Sequence, residues 1–136
     1  MQFKLQSFDT PLTVSRIANI HYFEFTNKYH TRKDKHEFRE LVYVDNSSVF
    51  VDSEHYYGEL KKNQLIIHQA SEVHSLTCPE DEPANVIIIG FECKEEILDR
   101  FSDNPVTLTA DLQKALTEII KEGRSVFLPP YDALTF

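Results

Sequence analysis

Four residues in this chain can ligate a metal or exchange protons and are spaced so that a fold could bring them together: Asp34, His36, Glu40 and His74. On an extended backbone alternate side chains share a face, so His36, Phe38, Glu40 and Val42 project to one side of a strand while Arg39 points the other way. An imidazole and a carboxylate then meet in an interior. If the strand carrying His74 crosses opposite Glu40, the set supplies two nitrogens and one or two oxygens. Such donors suit a divalent transition metal, with His36, Glu40 and His74 as ligands and Asp34 as a further candidate. Without a metal, Glu40 buried beside His36 would need pairing or protonation, because an unpaired buried carboxylate is costly. A lone interior histidine is more often a hydrogen-bonded core residue than a ligand, so both readings stay open. His30, His55 and His68 have no comparable partners in sequence and are expected at the surface or rim. Tyr22, Tyr43, Tyr56 and Tyr57 offer hydroxyl donors to a pocket, with strand packing as the alternative.

Other chemistries are excluded. No serine sits in a Gly-x-Ser-x-Gly turn, and the three glycines form no phosphate-binding loop. Cys78 and Cys93 lack metal-finger or Cys-x-x-Cys spacing and read as reduced, partly buried thiols. With 14 basic and 22 acidic residues the net charge is -8, which repels a phosphate backbone; eight acids against two bases fall between Cys78 and Asn104, most simply a solvated acidic edge. The longest apolar run, Val86 to Phe91, is far below the roughly 20 residues that cross a bilayer. The N-terminus has no apolar stretch of a secretory signal, and a cytoplasmic location is expected.

These residues need strands to position them. At 136 residues the chain has room for one ordinary domain. Thr13 to Phe25 reads as a long strand with apolar groups on both faces. Phe38 to Val44 is a second, leading through the turn-forming Asp45 to Ser48 into Val49 to Val51, a spacing that suggests a hairpin. Glu54 to Leu60, Gln64 to His68, Val73 to Thr77 and Val86 to Cys93 follow the same grammar. Short strands at this spacing indicate a sandwich or barrel. Lys94 to Phe101 has helical composition. Ala110 to Glu122 then places Leu112, Leu116, Ile119 and Ile120 on one helical face, with Thr109 as N-cap and Gly123 as the stop. The apolar end, Ser125 to Phe136, leads us to expect that the chain continues in its parent protein.

The stretch His36-Glu37-Phe38-Arg39-Glu40-Leu41-Val42-Tyr43-Val44, followed by Asn63-Gln64-Leu65-Ile66-Ile67-His68-Gln69-Ala70-Ser71-Glu72-Val73-His74, resembles the two cupin motifs, most closely those of the sensor domain of AraC-type transcription regulators. The resemblance covers roughly residues 15 to 123. Asp34 stands where enzyme cupins have the first histidine of their first motif. Asn63, Gln69, Ser71 and His74 match the Gly, Pro, Gly and His of the second, so left-handed turns fall to Asn63 and the Asp45 to Ser48 stretch. The resemblance implies a mainly β, cupin-like jelly-roll barrel followed by one or two C-terminal α-helices: a sensor barrel at residues 1–104 and a helical linker and dimerisation segment at 105–136. It further implies a non-enzymatic homodimer that binds a small polar effector near His36, Phe38, Glu40, His74, Tyr22 and Tyr43, and that reaches DNA only through a helix-turn-helix half not included in this sequence. A metal-dependent cupin enzyme, of dioxygenase or isomerase type, is the alternative, and a purely structural dimerisation module a third.

Overall fold

A computed structural model describes residues 13–25, 33, 35–79 and 82–126, and strand formation over them follows side-chain alternation. In β2 (Arg39–Asn46) Val42 and Val44 enter one apolar cluster while Tyr43, with Leu41 against it, enters another on the opposite face. β7 (Ala84–Glu92) divides the same way, Val86 and Ile88 against Ile87, Ile89 and Phe91. A strand covered on both faces reads as a continuous apolar run, which accounts for Val86 to Phe91.

The remaining strands are β1 (Arg16–Phe25), β3 (Ser48–Ser53), β4 (Tyr57–Lys61), β5 (Gln64–His68), β6 (His74–Thr77) and β8 (Val106–Thr107). They form a five-stranded sheet, β1-β7-β2-β5-β8, and a three-stranded sheet, β4-β3-β6, in which neighbouring strands run antiparallel. The two sheets enclose Phe23, Phe25, Val44, Val51, Leu60 and Ile66. The fold is the mainly β, jelly-roll type of barrel expected above, with one C-terminal helix, α1 (Ala110–Val126), over the outer face of the larger sheet. Among the described residues no helix is long and apolar enough to cross a membrane.

The hairpin expected across Asp45 to Ser48 does not form. β2 and β3 belong to different sheets, and the chain crosses between them at Ser47, whose φ is +66°. The crossing lets Val42 and Val44 face Val49 and Val51 across the interior rather than lie beside them. Asn63 (φ +69°) makes the same crossing from β4 to β5, and Ser71 (φ +65°) turns the chain toward β6. All three are non-glycine residues in the left-handed region, where glycine would sit without a Cβ penalty. The hairpin that does form is β3–β4, pairing Val49 with Leu60.

Two further expectations change at the C-terminal end. Thr109 caps α1, accepting from the Leu112 N–H at 3.4 Å, but Gly123 does not stop it. A Cβ at Gly123 would lie 3.0 Å from Cγ2 of Ile20, so the missing side chain lets the helix seat closely on β1. The apolar stripe also divides: Leu116 and Ile120 are buried on the barrel, whereas Leu112 and Ile119 are 53% and 44% exposed. Lys94 to Phe101 becomes a 3-10 helix, Glu96–Phe101, anchored by the buried Arg39. Its guanidinium donates to Cys93 O at 2.8 Å, Glu95 O at 3.1 Å and Asp99 Oδ1 at 2.7 Å.

Candidate binding site

Glu40 follows the alternation that puts Val42 inside, and its register partners are His68 on β5 and Gly90 on β7. His74 begins β6 in the facing sheet, opposite Ser53. The two meet across one end of the barrel, where His74 Nε2 donates to the Glu40 carboxylate. His36 Nε2 lies 3.9 Å from the other Glu40 oxygen. The Ser71 N–H donates to the His36 carbonyl, tying the segment before β2 to the turn before His74. The His36 ring stacks on Phe38 at 4.8 Å and 5°, and tilts against His74 at 5.6 Å. Phe38 has room because residue 90 is glycine: a Cβ there would stand 2.5 Å from its ring.

The electrostatics follow from burial and pairing. Burial alone would push the Glu40 carboxyl up, but the bond from His74 and the charges of His74, His68 and His36 outweigh it and hold Glu40 below the usual range. Burial likewise pushes His74 down, and the Glu40 carboxylate reverses that, raising its pKa above the ordinary imidazole value. The pair is therefore imidazolium and carboxylate. His74 Nδ1 sits 2.8 Å from the Glu72 carbonyl, which can only accept, so Nδ1 carries a proton in either state and Nε2 is the atom that changes.

The rim position expected for His68 is wrong: it is 2% exposed and stacks on His74 at 4.2 Å and 14°. Its Nδ1 lies 3.7 Å from Glu72 Oε2, beyond hydrogen-bond reach, and burial, the largest influence, lowers its pKa. Glu72 is also buried; burial opposes its ionisation, but His68 and the Gln69 N–H, which donates at 2.7 Å, keep its carboxyl low. The signal for His68 was in the strand: Ile66 faces the interior, and two residues on the side chain returns to that face.

Of the other candidates, Phe38 joins the cluster through His36, and Asp34 lies outside the described residues. Tyr22 and Tyr43 are not brought to it. Both pack with the outer cluster under α1; Tyr43 donates to Asn63 Oδ1 at 3.0 Å and Tyr22 to Asp45 Oδ2 at 2.7 Å. Tyr43, an odd-numbered residue of β2, faces away from Glu40 by the alternation that placed Glu40. Tyr56 packs against the interior core and Tyr57 is 73% exposed.

The cluster also fits a metal. One donor atom each from His36, Glu40 and His74 lie within 4.8 Å of one another. The carbonyl partner of His74 Nδ1 fixes the tautomer whose Nε2 lone pair would face an ion. A bound divalent ion would supply Lewis-acid chemistry there, with these three residues holding it.

No protein-family model and no curated protein matches the sequence. Among solved structures the chain is similar to ToxT from Vibrio cholerae bound to an unsaturated fatty acid, at a TM-score of 0.58 and 9% identity over 82% of this chain and 48% of that one. ToxT bound to (E)-4-(8-methylnaphthalen-1-yl)but-3-enoic acid gives 0.54 and 15% over 79% and 48%. A Bacillus halodurans protein, BH2720, gives 0.51 and 12% over 56% and 63%. These likenesses are of fold, and the chain spans about half the length of ToxT.

Proposed function

We propose that this chain is the effector-binding barrel of an AraC-type transcription regulator and that its effector is a small polar or carboxylate-bearing molecule engaging His36, Glu40 and His74. The carrying observation is the His74–Glu40 pair, with His36 beside it and His68 stacked on His74, at one end of an interior built mainly from apolar side chains. Packing has no need of these charges, which hydrophobic residues of similar volume could replace without loss of stability. Support comes from the cupin-motif resemblance and from the likeness to ToxT, an AraC-family protein whose two matched structures hold organic acids. On this reading α1 is the transmitter, Leu112 and Ile119 are free to face a second subunit, and DNA is contacted by a half that follows. The effector acts by binding one arrangement of those halves better than another, since equal affinity shifts nothing.

A metal-dependent enzyme is the second reading, favoured by the convergence of the three donors. Thermal-shift screening of organic acids, sugars and divalent ions against the wild-type chain and Glu40→Gln separates the two. The sensor reading expects an organic binder, adding about 2.7 kcal/mol at 100 times its dissociation constant, whose effect survives EDTA and is lost in Glu40→Gln. A stoichiometric metal required for stability, with no organic binder, would favour the enzyme.

A further inference from the structure

The outer face of the three-stranded sheet carries two aromatic rings that the core does not use. Val49, Val51 and Leu60 turn inward and are at most 1% exposed, so by alternation Phe50, Asp52, Tyr57 and Glu59 turn outward. Tyr57 is 73% and Phe50 38% exposed, on a face that an antiparallel sheet covered on one side usually fills with polar residues. The register sets Phe50 opposite Glu59 and Asp52 opposite Tyr57, which makes a checkerboard with two rings on one diagonal and two carboxylates on the other. The rings meet edge to face at 4.8 Å and 81°. A cation already stands beside this square: the Lys33 ammonium lies 3.5 Å from Asp52 Oδ2, with 62% of the lysine side chain exposed.

We propose that this square is a docking surface for an extended, arginine-bearing segment of a partner protein, each guanidinium pairing with one carboxylate and lying against the ring beside it. Charge complementarity selects the occupant. A chain of net charge -8 repels acidic partners and nucleic acid, whereas rings alternating with carboxylates offer a cation both a π face and a counter-ion. Arginine suits the square better than lysine, since a planar guanidinium stacks on an aromatic ring and forks onto a carboxylate at once. Asp52 and Glu59 are diagonal neighbours, about 7–8 Å apart in such a register, close to the roughly 7 Å between alternate side chains of an extended strand. An Arg-x-Arg segment therefore reaches both. The square faces away from the barrel interior that holds His74, and docking on it is independent of the role proposed for the His36, Glu40 and His74 centre.

The test is a nuclear magnetic resonance titration of the chain with acetyl-Gly-Arg-Gly-Arg-Gly-amide and with the same peptide carrying lysines in place of arginines. The arginine peptide is expected to shift the signals of Phe50, Asp52, Tyr57 and Glu59 and to bind about threefold more tightly than the lysine peptide. Tyr57→Thr, which keeps a strand-forming residue, is expected to weaken binding about threefold, the size of one exposed cation–π contact, and Tyr57→Phe to restore it. Asp52→Asn combined with Glu59→Gln is expected to cost about fivefold. Lys33→Ala removes the competing ammonium and is expected to tighten binding, whereas Lys121→Ala on α1, with the same change in charge, is not. Should Tyr57→Thr fail to fold, Phe50→Thr reads the same loss. Equal binding of the two peptides, unchanged in Tyr57→Thr and with shifts outside the square, would show attraction by net charge alone and overturn the docking surface. Absence of shifts at Phe50 and Tyr57 would overturn it as well.

Discussion

Replacing His74 by alanine is expected to remove about 3 kcal/mol of stability at pH 7, as breaking a buried ion pair does when one charge is left behind. Glu40, its side chain only 13% exposed, would then have to stay ionised without its principal partner or take up a proton. Glu40→Gln is expected to cost less, about 1–2 kcal/mol, because the stranded imidazolium can shed its proton near neutrality. Urea unfolding followed by far-ultraviolet circular dichroism measures both. An equal cost for the two would show that the charge left behind is not what matters.

The pH dependence has a defined sign. The pKa of His74 is raised in the fold, so its contribution is complete below the unfolded value of 6.5 and is lost as pH rises through the folded value. The pKa of Glu40 is lowered, so its contribution is present above 4.5 and is lost as pH falls through the folded value. Both act in full only between these limits. His68 works the other way: its lowered pKa means that the unfolded chain takes up a proton near 6.5 that the fold resists, a cost that grows as pH falls below that value. In His74→Ala the destabilisation should be greatest between these limits and shrink as pH rises through the folded value of His74, where the wild type itself loses the imidazolium.

Arg39→Ala is the second large effect, expected at about 2–3 kcal/mol from the loss of charge-assisted bonds to buried carbonyls and to Asp99. Those bonds hold the 3-10 helix Glu96–Phe101 on the larger sheet, where Leu98 packs into the outer cluster. Hydrogen exchange should therefore accelerate at residues 95–102 more than in β2. Arg39→Lys is expected to recover only part of the loss, since an ammonium cannot reach three acceptors with the fixed fork of a guanidinium. Full recovery by lysine would mean that charge alone anchors the segment.

What was legible in the sequence is what alternation controls. The facing of His36, Phe38 and Glu40 followed from period two, and so did the opposite facing of Arg39. The left-handed positions at Asn63 and within Asp45 to Ser48 followed from turn chemistry. The assignment of strands to sheets was not legible, because a turn of the same composition can close a hairpin or cross a sandwich, and the choice lies in which faces must share a core. The burial of His68 is not legible from its neighbours in sequence, because the ring it stacks on, His74, comes from the other sheet. The stop at Gly123 failed because a glycine that ends a helix and one that lets a helix approach a strand look alike until Ile20 is placed beside it. Leu112 and Ile119 share a face with Leu116, but α1 meets the barrel through Leu116 and Ile120 and leaves those two exposed.

That His36, Glu40 and His74 form one electrostatically coupled centre is tested most directly by nuclear magnetic resonance titration of the histidine side chains in the wild-type chain and in Glu40→Gln. The expected result is that His74 titrates above 6.5 in the wild type and falls markedly in the variant, while His68 stays below that value in both. A His74 that titrates at the same pH with and without the Glu40 carboxylate would contradict it.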